Sequence, residues 1–381
     1  MTRFLFPLLL LGCDAPDNAQ LFHAVEILPE DSAADASQRV VSQIDNAKKT
    51  LHVAMPAGHD LALAGALIAA HDRGVQLEIV TDIDSAGHEG LALMLAHEPP
   101  IAITLADDEV EYFDFNINDD VSWRSDETIM SEGFVIVDGS EALVDNLLGE
   151  TAPGKRLVVS LRGEELIEDL LTEHNQLFGG ADATSPTQYD GPAKSIADSR
   201  WIYGTGTDAM VEMWFGPQQR LSKRLTDAVY GARGSIHVLT NDFANEGLGL
   251  ALEAKAAAGF EVEVIVGPSF ETSSQVLSRL FRTTTPNVTK RRIAEDVEIP
   301  TIVLIDMNKD LNGNRSTRPK GHLLSHDLYS SARLYRTDTV LNDQLIDGLL
   351  LAWSNHGEPS AELQALQEFY DAHRDMAGEF F

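Results

Sequence analysis

The stretch A47-KKTLHVAMPAGHDLALAGALIAAHDRGVQLEIVT-D82 occurs twice in this chain. Moved by 185 positions, it falls without a gap on A232-RGSIHVLTNDFANEGLGLALEAKAAAGFEVEVIV-G267. Nine of the 36 pairs are identical, among them His52/His237, Leu67/Leu252, Gly74/Gly259 and Glu78/Glu263. Matches spread over the whole window point to an internal duplication. Each copy reads as strand, helix, strand. Thr50–Ala54 is short, apolar and partly β-branched, as a buried strand is. Ala62–Asp72 is rich in Ala and Leu, which favour helix. Arg73-Gly74 closes that helix with a cation in its last turn and a residue free to take positive φ. Val75–Thr81 is the second strand. A βαβ crossover of this length makes two parallel neighbours in one sheet.

The rest of the chain extends the duplication. Val25–Pro29 and Val211–Pro217 are both strand-then-Pro, and Ser37–Lys49 and Leu221–Tyr230 both carry helical spacing. Met130–Asp138 and Ile302–Asp306 are apolar strands that end in Asp. Gly179–Pro192 lacks periodicity and reads as a linker. The expected organisation is a signal and tether over 1–20, a first lobe over 21–179, a linker over 180–200, a second lobe over 201–356, and a C-terminal amphipathic helix over 357–381. The 381 residues suffice for a large core, and 44% hydrophobic with 23% charged residues is an ordinary globular mixture. The net charge of −32 is not ordinary. It argues against nucleic acid as a partner and against anionic lipid surfaces, which both require cationic protein.

At the N-terminus, Arg3 precedes the apolar run Phe4–Leu11, too short to span a bilayer. Leu10-Leu11-Gly12-Cys13 resembles the lipobox of bacterial lipoproteins. The resemblance implies cleavage before Cys13, lipid attachment to it, and residence in the cell envelope with a membrane as partner. The other reading is a buried strand with an incidental cysteine. Cys13 is the chain's one cysteine, so no internal disulfide can form.

The duplicated unit, with ALIAAHDRGVQLEIVTD at 66–82, resembles the phospholipase D superfamily. That implies two homologous α/β lobes about a pseudo-two-fold axis. Met130–Gly139 resembles the strand carrying that family's H-x-K-x-x-x-x-D motif, and Ile299–Asp306 takes its place in the second lobe. Leu324–Leu328 with Ser330 to Arg333 resembles the downstream G-S-x-N segment, which puts Ser325 and Asp327 among the family positions. In the family one His attacks phosphorus, the other protonates the leaving group, and the Lys residues hold the phosphate. Imidazole suits this because it is a nucleophile at neutral pH and then an acid or base. Here Ser131 and Gly133 occupy the His and Lys positions of the first motif, and Ile299 and Thr301 those of the second. Only Asp138 and Asp306 keep the family's letters, and no His-x-Lys occurs anywhere in the chain. If the resemblance holds, both strands run toward the shared axis, with Asp138 and Asp306 at the cleft margin.

Each candidate has a plain alternative. Ser131 is a nucleophile without an identifiable base, or a strand hydroxyl. Asp138 and Asp306 are remnants of chemistry, or Asp residues that open a turn. Asp114–Ser125 and Asn308–Pro319 are similar to calcium loops but lack the full ligand pattern, so solvated loops are the simpler reading and no metal is expected. Gly204-x-Gly206 lacks its third glycine and helix, and no cofactor is expected. His52 and His237 lie mid-strand as core histidines. The functional expectation is a lipid-anchored, catalytically inactive phospholipase D-like binding protein, its protein or small-ligand partner unidentified. The alternatives are an active phosphodiesterase or phospholipid-modifying enzyme with non-standard groups, and a two-lobed small-ligand binder hinged between its lobes.

Overall fold

The computed structural model describes residues 24–106, 109–115, 121–127, 129–179, 187–189, 202–203, 209–216, 219–243, 245–268, 270, 280, 287–294, 297–307, 318–325, 328 and 346–379. Of the sequence readings, Cys13, Gly204-x-Gly206, Asp327, the segment Ser330 to Arg333 and most of Asn308–Pro319 lie outside them. Of the linker only Thr187–Tyr189 is described, as a strand, and Asp114–Ser125 is described except for 116–120, its ends pairing as a two-stranded hairpin.

In the first lobe the described elements are β1 (Ala24–Glu30), α1 (Ala33–Asn46), β2 (Thr50–Met55), α2 (Leu61–Asp72), β3 (Gln76–Asp82), α3 (Glu89–Leu95), β4 (Ala102–Ala106), β5 (Glu109–Phe115), β6 (Val121–Glu127), β7 (Ile129–Met130), β8 (Phe134–Val137), β9 (Glu141–Val144), β10 (Arg156–Arg162), α4 (Glu164–Phe178) and β11 (Thr187–Tyr189). The second lobe follows with β12 (Ile202–Tyr203), β13 (Met210–Phe215), α5 (Leu221–Tyr230), β14 (Ser235–Thr240), α6 (Glu246–Ala257), β15 (Glu261–Val266), β16 (Val288–Ile293), β17 (Thr301–Ile305), β18 (Lys320–Leu324), β19 (Ile346–Asp347), β20 (Leu349–Ser354), α7 (Ala361–Met376) and β21 (Ala377–Glu379).

The duplication is visible in the hydrogen-bonded ladders. One sheet runs β1-β10-β9-β8-β2-β3-β4-β11, and the other runs β12-β13-β20-β18-β17-β14-β15-β16-β21. Seven consecutive strands therefore correspond, from β1/β13 to β4/β16. Register corresponds too: Leu51 faces Leu77 as Ile236 faces Val262, and each partner is 185 positions on. Helix ends obey the same rule. Asp60 caps α2 by accepting from the N–H groups of Ala62 and Leu63, and Asn245 caps α6 through Leu248. Gly74 and Gly259, at φ +85° and +93°, end the two helices where a Cβ would be strained.

The two sheets are not separated by a hinge. Val53 and Ile79 point to the α1–α3 side, and their neighbours Ala54 and Val80 point inward. One continuous core joins the inner faces of both sheets to α4 (Leu166, Leu170, Leu177) and α7 (Leu363, Leu366, Phe369). Helix α4 also touches β13, and α7 touches β1, so each closing helix reaches the corresponding strand of the other lobe. The C-terminal helix thus holds in the second lobe the place α4 holds in the first. Among the described residues no helix is long and apolar enough to cross a membrane.

One expected element is broken. Met130–Asp138 does not form a single strand. Ile129 and Met130 pair in parallel with Ile346 and Asp347 of the other lobe, and Phe134–Val137 joins the first sheet. The break falls at Gly133, whose carbonyl accepts from the Asp145 N–H at 3.0 Å. A Cβ built there would lie 1.9 Å from the Asp145 carbonyl oxygen, so the main chain is pinched against the β9 side.

Candidate functional site

Ser131, before β8, and Glu298, before β17, lie on the seam between the lobes. Ser131 and Ser325, from opposite lobes, place their hydroxyl oxygens 3.2 Å apart, and both are buried. Ser325 Oγ also accepts from the Leu349 N–H at 2.8 Å. Ile299 and Thr301 are buried in turn. Thr301 shares a hydroxyl contact of 3.0 Å with Thr240. Ile299 is held by the Asn241 side chain, which accepts from its N–H and donates to its carbonyl, both at 3.2 Å. Asn241 also donates to Glu298. Across the seam the Glu298 N–H donates to the Pro153 carbonyl at 2.9 Å, and Asn146 Nδ2 donates to the Leu324 carbonyl at 3.3 Å. By strand register Asn146 and Ser325 are equivalent residues, since Val135 faces Leu143 as Val303 faces His322.

Asp138 and Asp306 do not sit at the margin of this seam, contrary to the sequence expectation. They stand at the other ends of β8 and β17, one full strand away. Both have positive φ, +51° and +58°. Both fasten the start of the neighbouring strand. The Asp138 carboxylate accepts from the N–H groups of Lys48, Lys49 and Thr50 at 2.7–3.1 Å, and the Asp306 carboxylate from Arg233 and Gly234 at 2.7–3.0 Å. Their own N–H groups donate to the Thr50 and Ser235 carbonyls at 2.9 Å. Burial alone would raise the pKa of Asp138. The N–H groups of Thr50, Lys49 and Lys48, with the Lys49 charge, outweigh it and hold the carboxyl below the usual range.

Sequence reasoning missed Arg156. Arg156 is almost fully buried, and its guanidinium donates to the Ala152 carbonyl at 3.0 Å. Desolvation lowers its pKa, while Asp145, Glu150 and Glu298 of the other lobe oppose the fall. Burial raises the pKa of Asp145, tempered by the Arg156 charge and the Leu147 N–H. A cation opening the apolar run Arg156–Leu161 was the available signal. Asn241 had no signal, since the repeat pairs it with Pro56.

The core histidines follow the repeat. His52 lies 3.7 Å from the Glu78 carboxylate and edge-on to His174 of α4, while His237 stacks on Tyr370 of α7. Tyr370 donates to Glu263 at 3.1 Å, and Arg291 donates to the other Glu263 oxygen at 2.7 Å. Among the described residues no three His, Cys, Asp or Glu side chains converge as metal ligands.

No family model matches the sequence, and no curated protein matches it. Solved structures do match the fold. Phosphatidylserine synthase from Haemophilus influenzae Rd KW20 superposes with a TM-score of 0.59 at 12% identity, over 93% of this chain and 87% of that one. Polyphosphate kinase from Porphyromonas gingivalis superposes with a TM-score of 0.55 at 11% identity, over 91% of this chain. The fold is the one these two structures share with this chain, two like α/β lobes packed on a common core. At these identities the likeness concerns the fold alone, and the chain covers 50% of the kinase. Within this fold, the seam just described is where Ser131 of one lobe meets Ser325 of the other.

Proposed function

We propose that this phospholipase D-like protein has lost phosphodiester chemistry and serves as a lipid-anchored binding protein of the bacterial envelope. The observation that carries the reading is Gly133. The family's motif needs a lysine there, and this backbone has no room even for a Cβ. A phosphate pocket needs a cation and space, and position 133 offers neither. The equivalent Thr301 is buried and bonded to Thr240, so that position supplies no ammonium either. Asp145, Glu150 and Glu298 gather near Arg156. Carboxylates near a phosphodiester repel it by roughly 1 kcal/mol per close pair in water, and more in a dry site. Asp138 and Asp306 have structural work that accounts for their retention.

The test is hydrolysis by the purified full-length protein of bis-p-nitrophenyl phosphate, phosphatidylcholine and cardiolipin, with and without divalent metal. Turnover at background is expected. Turnover that disappears on Ser131→Ala would promote the alternative, an enzyme with non-standard groups. The anchor is tested separately by mass spectrometry of the native protein. A diacylglyceryl-modified Cys13 at the mature N-terminus is expected, because two chains anchor stably where one is marginal. A Cys13→Ser protein still resident in membranes would remove that part of the reading. The net charge of −32 makes a cationic or neutral partner more compatible with the surface than nucleic acid.

A further inference from the structure

Away from the motif positions, His59 and His88 stack on each other, ring centroids 3.5 Å apart and planes 24° from parallel. His59 precedes the cap of α2, and His88 immediately precedes α3. The Gly58 N–H donates to His88 Nδ1 at 3.2 Å. That bond fixes the ring's state: Nδ1 bears the lone pair, so the proton is on Nε2 and the ring is neutral. The same loop, 56–60, is tied to the β9–β10 connection. The N–H groups of His59 and Asp60 both donate to the Gly149 carbonyl at 3.0 Å. Contact there is close, since a Cβ on Gly149 would fall 1.9 Å from the Ala57 carbonyl oxygen.

Under this tie lies a cavity of about 10 Å³, room for about one water. Ser37, Asp60, Asp145, Glu150 and Arg156 line it. Ser37 Oγ and Arg156 Nε are buried with no hydrogen-bond partner among the described residues. The loop therefore covers the buried Asp145 and Arg156, and the Arg156 charge acts on Glu298 of the other lobe.

We propose that the His59–His88 stack is an acid-operated latch: protonation of His88 releases the 56–60 loop from Gly149 and opens the cavity over Asp145 and Arg156. A protonated Nδ1 cannot accept from Gly58, so the bond that fastens the loop to His88 is lost. The charged groups acting on His88 from packed segments are His59 and Glu150, and Asp84 and Glu89 flank it on its own segment. Burial, then His59, lower its pKa below the ordinary 6.5, against a smaller opposing pull from Glu150. The closed loop thus prefers the neutral ring. Its stability is complete above the open loop's ordinary imidazole pKa and falls as pH drops below that value. It levels off beneath the lower closed-loop pKa. Between the two values one proton is linked to opening, so the opening constant rises by about tenfold per pH unit.

Hydrogen exchange of the full chain, followed by mass spectrometry at pH 7.5 and 5.0 and corrected for intrinsic exchange, tests this. Gly58, His59, Asp60 and Leu91 are expected to lose protection at pH 5.0, by up to about tenfold per pH unit, while β8 keeps its own. His88→Asn places an amide oxygen near the Nδ1 position and cannot titrate. It is expected to retain protection at both pH values, with an unchanged melting temperature at pH 7.5. Equal protection of the 56–60 loop at both pH values in the natural protein would overturn the latch. So would the same loss in His88→Asn. If that variant is unstable at pH 7.5, direct NMR titration of His88 decides: a midpoint below 6.5 coincident with loop opening supports the proposal, and titration without opening refutes it.

Discussion

Gly133 and Gly65 show how differently one residue type acts in this fold. A methyl at 133 meets the Asp145 carbonyl oxygen at 1.9 Å, and the atom it meets is backbone, which moves only with β9. Gly133→Ala is therefore expected to lower stability by about 1–3 kcal/mol. Gly65 is exposed on α2 with nothing within 4 Å of a built Cβ. Gly65→Ala is expected to raise stability by about 0.5–1 kcal/mol. Urea midpoints of both variants check the pair, and a neutral Gly133→Ala would undo the argument that the lysine position is sterically closed. The paired aspartates make a second residue-scale prediction. Asp138 accepts three backbone N–H groups, and its pKa is depressed. Its contribution is present above the ordinary carboxylate value of 3.8 and is lost as pH falls through its lower folded value. Asp138→Ala strands those donors, partly in solvent, and is expected to cost about 1–3 kcal/mol at neutral pH. The natural protein and the variant should converge in stability below pH 3.8, as pH-dependent denaturation curves can show.

At the scale of elements, α4 and α7 do the same work in the two lobes. Each closes its own sheet and touches the other lobe, α4 at β13 and α7 at β1. Helix α4 carries His174, which packs edge-on to His52 and stacks on Phe178. Burial, with a smaller push from His52, pulls His174 down to about 3. Burial likewise pulls His322 on β18 to about 4. The sign follows from linkage. Folded, both rings stay neutral, while the unfolded chain takes up their protons below 6.5. Stability is complete above 6.5 and falls as pH drops toward 4. The slope approaches about 1.4 kcal/mol per pH unit for each ring. His174→Phe is expected to flatten the urea-stability profile between pH 6.5 and 4 by one proton's worth, and an unchanged slope would refute the assignment. These elements also mark what was legible in advance. The βαβ unit was, because an ungapped repeat of buried apolar spacing dictates element, order and register together. Strands β16 (VTKRRI) and β18 (KGHLL) were not, since their polar residues hide the alternation. The break at Gly133 and the seam contacts of Asn146, Asn241 and Arg156 were also hidden. The contacts of Asn146 and Asn241 join residues more than 50 positions apart, which no local pattern encodes, and the break at Gly133 turns on the close approach of the Asp145 carbonyl. The role of α7 was half legible: its apolar stripe gave the helix, and only the core showed that it completes the second lobe.

The whole molecule carries 60 acidic and 28 basic residues, of which 19 are Arg and 9 Lys. Such an excess repels itself in the compact state and is relieved on unfolding. The buried Arg156 and the partly buried Arg291 do not offset it, because each is engaged with local carboxylates. Many exposed pairs are short-range and solvent-bathed, such as Lys223–Asp227 and Lys155–Asp31, and exposed pairs of this kind contribute little. Salt weakens both terms, but the long-range repulsion among dozens of like charges exceeds the few screened pairs. The screening length shrinks from roughly 30 Å at 0.01 M to about 3 Å at 1 M, which spans the change from whole-molecule repulsion to nearest neighbours alone. The melting temperature is therefore expected to rise steadily with NaCl from 0.01 to 1 M at pH 7.5. KCl should do the same, since the effect is screening and not a specific ion. Scanning calorimetry across both series checks this. A flat or falling melting temperature would mean that the acidic surface is already neutralised by bound cations or by contacts outside the described residues. A rise with NaCl but not KCl would point to a sodium site instead of the self-repulsion argued here.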